Sequence, residues 1–408
     1  MKKVWDKWTR IALVKRILVG LILGAVLGIA VPQATGIAIL GDVFVSALKA
    51  IAPLLVFFLV ISSLCNAGKS HGGVIKTVII LYMFSTVLAA VIAVFASMAF
   101  PVKMTLANAA TDTSAPQGIV EVLNNLLLNV VANPVSSLVN ANYVGILMWA
   151  VLLGLAFRAA DKMTKKVLAD VADGISMVVT WIINLAPFGI FGLVFNTVST
   201  NGLDIFTTYG KLLLLLVGCM LFIYFVTNPL LVYWCIRQNP YPLIFHCLKR
   251  SALTAFFTRS SAANIPVNMK VCEEMGLDRD TYSVTIPLGA TINMDGAAIT
   301  ITVMTMATAF TLGIHVDIPT AIILSLLAAL SACGASGVAG GSLLLIPMAC
   351  SLFGISDDIS MQVVAVGFII GVVQDSVETA LNSSSDLLLS ASAEFRQWRL
   401  EGKEIKFK

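Results

Sequence analysis

Long apolar runs separated by short polar segments make up most of the chain. An α-helix needs roughly 20 apolar residues to cross the hydrocarbon core of a bilayer. Several runs approach that length, at residues 17–31, 74–100, 212–226 and 359–370. They are too apolar and too numerous for the surface of a water-soluble domain. The pattern predicts an all-α polytopic membrane protein with about eight transmembrane helices.

Basic residues lie in short clusters between these runs, and they assign a side of the membrane to each connection. Because cytoplasmic loops carry an excess of Lys and Arg, both termini are expected in the cytoplasm. The first apolar run lacks a small-x-small cleavage site after it, so we interpret it as an uncleaved span. The predicted spans are 17–31, 44–64, 74–100, weaker pieces within 119–157, 175–197, 212–236, 282–312 and 359–392.

Two further segments begin and end on the same predicted side of the membrane. Residues 251–269 have basic residues at both ends, whereas residues 318–353 have acidic residues at both ends and no Lys or Arg nearby. Their middles read TRSSAANIP (258–266) and CGASGVAGGS (333–342), which are rich in small and polar residues. We predict two oppositely oriented re-entrant hairpins, because ordinary glycine-rich spans would leave the charge pattern unexplained. Inverted repeats of this kind indicate a secondary transporter.

Composition supports the membrane class and removes two alternatives. The chain is 58% hydrophobic and only 12% charged, and its mean hydropathy is +0.94. The net charge of +4 resides in the clusters between spans, so nucleic-acid binding is not expected. The seven cysteines form no CxxC pair, and we expect neither a disulfide nor a cysteine metal site.

A few ionisable residues fall inside the apolar region. Each costs at least about 2.5 kcal/mol near the bilayer centre, so such groups usually face a cavity or a partner. On the last span, five polar residues at offsets 0, 3, 4, 7 and 11 share one face of a helix. They are Asp375, Glu378, Thr379, Asn382 and Asp386. This stripe is expected to face protein or water, either as a binding surface or as a packing stripe closed by salt bridges to Arg259.

Oxygen-bearing residues next to Gly296 indicate a cation site. Asn293 and Asp295 fall where the span 282–312 is interrupted, and an opened helix adds free backbone carbonyls to their side-chain oxygens. Oxygen-only ligands suit a hard cation such as sodium. Asp386 could anchor a second such site.

The hairpin tips complete the chemistry of a zwitterion site. Ser260–Ser261 and Gly337–Val338 are expected to offer amide N–H groups at half-helix N-termini, which attract a substrate carboxylate. Asp375 would then bind an ammonium group. Together these features point to an amino acid bound beside a cation, and no organic cofactor is implied.

Four motifs in order resemble the dicarboxylate/amino acid:cation symporter family over almost the whole chain. They are TRSSAANIP (258–266), YSVTIPLGATINMDGAA (282–298), GASGVAGG (334–341) and the stripe at 375–386. The resemblance implies an elevator-type homotrimer in the membrane lipid. Residues 1–237 would hold six helices, mostly scaffold, with the third and sixth joining the transport domain. Residues 238–393 would form the core of that domain and 394–408 a cytoplasmic tail.

The same resemblance implies roles for individual residues. Asp375 matches the residue that binds the substrate ammonium, and Asn382 matches the one that binds the α-carboxylate together with the hairpin tips. Sodium ligands in the family match two groups of residues here. They are Asn293, Asp295, Asn382 and Asp386 at the helix break, and Tyr82, Ser85 and Thr86 on the third span.

Two departures from the family pattern bear on the substrate. Members that carry acidic substrates have an Arg at the position of Glu378 and a Thr at the position of Ala297. Without that Arg, and with Asp375 nearby, the pocket should repel a second substrate carboxylate. Glu378 would pair with Arg259 or accept a hydrogen bond from a substrate hydroxyl.

Together with these departures, the resemblance implies sodium-coupled import of L-serine and L-threonine across a bacterial cytoplasmic membrane. Another small neutral amino acid, or a dicarboxylate driven by sodium or protons, stays the alternative within this fold. A channel would share the hairpins but would not concentrate substrate. An intramembrane serine protease would need a histidine at membrane depth beside residues 334–337, whereas His71, His246 and His315 fall in or near predicted loops. We therefore do not expect an enzyme.

Overall fold

A computed structural model describes residues 11, 13–66, 73–106, 128, 131–202, 205–333, 335 and 340–405. Within those residues every regular element is a helix, in agreement with the predicted all-α class. Six of their helices are long and apolar enough to cross a membrane. They span Thr35–Asn66, Gly73–Ala99, Lys162–Asn184, Phe206–Ile236, Arg279–Thr311 and Asp357–Leu400. Four shorter apolar helices accompany them, at Gly145–Ala159, Ala186–Thr200, Ile318–Ala332 and Gly341–Ser351. The chain is a helical membrane protein.

The first half of the described chain contains seven α-helices. They are α1 (Leu13–Ala30), α2 (Ile39–Asn66), α3 (Gly73–Ala99), α4 (Pro134–Val139), α5 (Tyr143–Ala156), α6 (Lys162–Asn184) and α7 (Ala186–Asn201). The predicted span 175–197 is wrong as one uninterrupted helix, because α6 ends before Leu185 and α7 begins after it. Pro187 lies in the first turn of α7, where its missing N–H costs nothing.

The second half contains ten more helices. They are α8 (Ile205–Phe222), α9 (Asn228–Ile236), α10 (Tyr241–Cys247), α11 (Leu253–Thr258), α12 (Ser261–Glu274), α13 (Arg279–Ile292), α14 (Asp295–Thr311), α15 (Ile318–Ala332), α16 (Ile346–Ser351) and α17 (Asp357–Leu400). π-helical turns join α8 to α9 and α10 to α11, and a 3₁₀ turn at Gly341–Leu345 precedes α16.

The turn between α11 and α12 is shorter than the predicted tip at 258–266. Arg259 adopts φ 53° and closes α11. Ser260 is the N-cap of α12, with its hydroxyl accepting a hydrogen bond from the Ala263 N–H at 3.2 Å. Because Ser260 caps the helix at once, Ser261 and the residues after it are helical, and Pro266 lies inside α12.

Helix α17 is the axis around which the second half packs. It is 44 residues long and is buried over most of its length from Ile359 to Phe395. Helices α3, α8, α9 and α11 to α14 all contact it. It extends to Leu400, beyond the predicted end at 392. The predicted polar stripe therefore lies inside protein.

Glycines let α1 approach α7 more closely than larger residues would. Gly20, Gly24 and Gly28 repeat every fourth position on α1. A Cβ added at Gly24 would lie 2.6 Å from the carbonyl oxygen of Phe191. Small residues at this spacing bring helix backbones into van der Waals contact in membranes. This contact holds α1 against the rest of the bundle.

Replacement of Gly24 by Leu should therefore destabilise the protein. Overpacking of this kind costs roughly 1–3 kcal/mol, and we expect a lower apparent melting temperature in detergent, measured by tryptophan fluorescence. Gly210→Leu on α8 is the matched control, because a Cβ there meets no atom within 4 Å. Equal melting temperatures for the two variants would contradict the close α1–α7 contact.

Candidate functional site

The candidate site is built around a break between α13 and α14. Asn293 and Met294 have non-helical backbone angles, with φ/ψ of −97°/82° and −121°/51°. The helix resumes at Asp295, at the interruption that the sequence predicts. Such a break frees backbone groups deep inside the bundle, and they need partners from other helices.

Asn293 links this break to the stripe on α17. Its Nδ2 donates hydrogen bonds to Ser385 Oγ and Asp386 Oδ1, each at 2.9 Å. Its own Oδ1 and the Oδ2 of Asp386 are buried and have no hydrogen-bond partner. Two buried oxygens on neighbouring side chains, one of them on a carboxylate, thus lack a hydrogen-bond donor. A bound cation would satisfy both of them.

Two hydroxyl groups of α3 contact Asp295, the carboxylate at the start of α14. Asp295 accepts hydrogen bonds from Ser85 Oγ at 2.7 Å and from Thr86 Oγ1 at 3.2 Å. All three residues are 0% exposed. No basic side chain among the described residues lies within salt-bridge distance of Asp295 or Asp386. Both carboxylates therefore depend on hydrogen bonds or on an ion for compensation.

Tyr82 and Asn382 complete the set of predicted sodium ligands. The Tyr82 hydroxyl lies 2.8 Å from the carbonyl oxygen of Asp386, to which it donates. Asn382 Oδ1 accepts a hydrogen bond from the Gly296 N–H at 2.7 Å. A Cβ at Gly296 would lie 2.9 Å from Glu378 Cα, so glycine permits this approach of α14 to α17. We name these residues the oxygen cluster: Tyr82, Ser85, Thr86, Asn293, Asp295, Asn382 and Asp386.

An ion pair lies farther along the same stripe. Arg259 Nε donates to Asp375 Oδ2 at 2.6 Å, and the two side chains are only 11% and 5% exposed. The other oxygen of Asp375 accepts the Gly340 N–H at 3.2 Å. Asp375 thus joins the turn before α12 to the segment after α15. One carboxylate bridges both predicted hairpins.

Glu378 does not contact Arg259 in this arrangement. Its Oε2 accepts hydrogen bonds from three neutral donors, Thr300 Oγ1 at 2.7 Å, Ser342 Oγ at 2.9 Å and Gln374 Nε2 at 2.5 Å. Sequence reasoning missed these three residues. The spacing of Gln374 and Glu378 by one helical turn was a usable signal. Thr300 and Ser342 are brought in by tertiary packing, which no local pattern reveals.

Two predicted positions of the second hairpin, Gly337 and Val338, lie outside the described residues. Ser260 and Ser261 stand at the N-terminus of α12, and Ser261 is buried. Thr379 is buried on α17 between Glu378 and Asn382. The structure thus gathers the described candidate residues along one face of α17 and the elements packed on it.

Buried amides attach the first predicted hairpin to α17. Asn268 Nδ2 donates to the carbonyl oxygen of Ser383, and Asn264 Nδ2 donates to Ser383 Oγ, each at 2.8 Å. Ser251, on the other arm, donates to Asn268 Oδ1 at 2.5 Å. These side chains are almost fully buried. The network holds both arms in a fixed position next to Asp375 and Asn382.

Comparison with known proteins supplies the family. Residues 13–394 match the sodium:dicarboxylate symporter family. The chain is 57% identical over 406 residues to a serine/threonine transporter SstT of Bifidobacterium adolescentis, covering 99% of this chain and 94% of that protein. It is 55% identical over 400 residues to a serine/threonine transporter SstT of Streptococcus thermophilus, covering 98% of this chain and 100% of the relative.

The match includes α1 through nearly all of α17, and so covers the helix break, the oxygen cluster and the ion pair described above. The chain belongs to the sodium:dicarboxylate symporter family.

Proposed function

We propose that the protein imports serine and threonine across the cytoplasmic membrane together with sodium. The observation that carries this proposal is the two unpaired oxygens of Asn293 and Asp386, buried at a helix break on the same face of α17 as the charged Asp375. The names of the two relatives supply the substrate class, and the family name supplies the ion.

The oxygen cluster fits sodium by its chemistry. Its ligating atoms are carboxylate, amide, hydroxyl and backbone oxygens, which hard cations prefer. Asp295 and Asp386 are both almost fully buried. Taking an isolated carboxylate out of water is costly unless a cation or hydrogen bonds compensate it. Sodium ions held by Asn293, Asp386 and Asn382, and by Asp295 with the α3 residues, would supply that compensation.

The substrate would bind next to this ion through both of its charged groups. Its ammonium would bind the carboxylate of Asp375, whose Oδ2 lies 2.6 Å from Arg259 Nε, and would compete with Arg259 for it. Its α-carboxylate would lie at the N-terminus of α12, whose N–H groups attract anions, and near Asn382. Because Asn382 already contacts α14 at Gly296, this one side chain would touch both the ion site and the substrate.

Glu378 would set the preference for a small hydroxyl side chain. No described Arg or Lys contacts it, and Thr300, Ser342 and Gln374 fix one of its oxygens. The other oxygen is available to accept from a substrate hydroxyl. A second substrate carboxylate would meet like charge on Glu378 or Asp375, which is expensive away from water.

We extend the proposal to the assembly and its motion. The elements α10–α12 pack on α17, and of the elements α15–α16, α16 packs on α17 whereas α15 packs on α3 and α14. With the opposite charges at their ends, this supports two re-entrant hairpins of opposite orientation. We further propose a homotrimer in which residues 238–393, with α3 and the α8–α9 segment, move as a transport domain against a scaffold, with residues 394–408 as a cytoplasmic tail and both termini cytoplasmic.

Uptake into proteoliposomes tests the function. With an inward sodium gradient, labelled serine and threonine should accumulate above their external concentration, and aspartate and glutamate should not. In the Glu378→Gln variant, aspartate should compete with serine about tenfold better than in the wild type, because one repulsive charge is gone.

Three outcomes would contradict the proposal. Concentrative aspartate uptake without serine uptake would overturn the substrate class. Accumulation driven by a proton gradient in the absence of sodium would show that sodium is not the coupling ion. Equilibration of serine without concentration would indicate a channel.

Asp375 provides the second test. Its replacement by Asn should lower serine affinity roughly 10- to 100-fold, the worth of a hydrogen bond to a charged group, as measured by serine-dependent uptake rates. Because Arg259 would be left buried and unpaired, this variant should also lose stability.

The double variant Arg259→Gln/Asp375→Asn separates these effects. It removes both charges and should recover thermal stability without recovering transport. Near-normal serine uptake by the double variant would exclude Asp375 as the ammonium ligand.

A further inference from the structure

A large apolar groove lies between α3 and α8, away from the oxygen cluster. Its volume is about 840 Å³. Residues of both helices and of the segment after α3 line it, among them Phe100, Val102, Lys211, Leu214, Gly218 and Phe222. Leu214 is 74% exposed and Phe100 69% exposed. The walls of the groove therefore stay uncovered by the described part of the chain.

Lys211 is the one charged residue among those lining the groove. It lies five residues inside the apolar stretch Phe206–Ile236, or about 8 Å along the helix axis. A lysine at that depth extends its ammonium towards the membrane surface. Lys103, which is exposed, directly follows the lining residue Val102. The groove thus combines apolar walls with adjacent positive charge.

The dimensions fit a lipid chain. On α8 the lining residues run from Lys211 to Phe222, which is about 16 Å of helix. A Cβ added at Gly218 would meet no atom within 4 Å, so the middle of the groove is open space. A chain of methylene groups can fill such a space, and anionic headgroups are attracted to basic residues near the membrane surface.

We propose that this groove binds one anionic phospholipid, with an acyl chain between α3 and α8 and its phosphate at Lys211. No carboxylate of the described residues forms an ion pair with Lys211, so its ammonium is available to a phosphate. Because α3 also carries Ser85 and Thr86, the lipid would contact a helix of the oxygen cluster. The proposal does not depend on which solute the protein transports.

Photolabelling tests it directly. The purified full-length protein is reconstituted in phosphatidylethanolamine vesicles with phosphatidylglycerol that carries a diazirine in mid-chain, and labelled peptides are mapped by mass spectrometry. We expect labelling concentrated in the C-terminal part of α3 and in α8. Unlabelled phosphatidylglycerol should compete about fivefold better than phosphatidylcholine, the effect of one lysine at the surface.

Variants separate the two parts of the lipid. Lys211→Gln should keep the labelled peptides but bring the two competitors to similar potency. Gly218→Trp should lose the label because the indole fills the groove, and Gly218→Leu should reduce it. Gly174→Trp on α6 is the matched control, since its Cβ also meets open space, and it should label as the wild type does.

Three results would overturn the proposal. They are labelling spread evenly over the lipid-facing helices, labelling unchanged in both Gly218 variants, and equal competition by the two lipids in the wild type. Peptides of α3 and α8 that stay unlabelled in the wild type would also overturn it, because an occupant other than the lipid would then fill the groove.

Discussion

Two carboxylates buried in a membrane-embedded core impose the main constraint on this structure. Asp295 and Asp386 are 0% and 1% exposed, and no basic side chain among the described residues forms an ion pair with them. Burying ionised groups without compensation is too costly for a stable fold. The hydroxyls of α3, the broken helix at Asn293 and the close approach allowed by Gly296 all supply oxygen or amide partners at this place. The proposed sodium ions would supply the remaining compensation. Ion binding would therefore stabilise the folded core.

If the proposed ion and substrate sites are as described, Asn382 would couple them. Asn382 contacts the α14 helix start at Gly296, and it lies on the same face of α17 as Asp375. Coupling between two sites is reciprocal, so a residue that favours the substrate when sodium is bound must favour sodium when the substrate is bound. Under the proposed function, the Arg259–Asp375 pair would compensate this buried carboxylate until a substrate ammonium replaces Arg259. The hydrogen bonds from Asn264 and Asn268 to Ser383 attach α12 to α17 and so help to position Arg259 beside Asp375.

Features that depend on residues close together in the chain could be predicted from the sequence. Apolar length predicted the helical membrane class, the Asn-Met-Asp-Gly interruption predicted the break between α13 and α14, and helical spacing predicted one face for Asp375 to Asp386. Features that depend on tertiary packing, or on a single capping residue, were not predicted. The break at Leu185 lies two residues before Pro187 in a mostly apolar run that was predicted as one span, and the tip of the first predicted hairpin is shorter than its small residues indicated because Ser260 caps α12. The partners Thr300 and Ser342 of Glu378 are far away in sequence, so no spacing rule connects them.

Thermal unfolding of the purified protein in sodium chloride or choline chloride, at equal ionic strength, tests the central claim most directly. An ion that binds only the folded state stabilises it by about 2.7 kcal/mol at 100 times its dissociation constant. We predict that sodium raises the unfolding temperature of the wild type and that Asp386→Asn loses most of this rise. Asp358→Asn, on the same helix but with an 87% exposed side chain, should keep it. No sodium-dependent rise in the wild type, or a full rise in Asp386→Asn, would contradict the account.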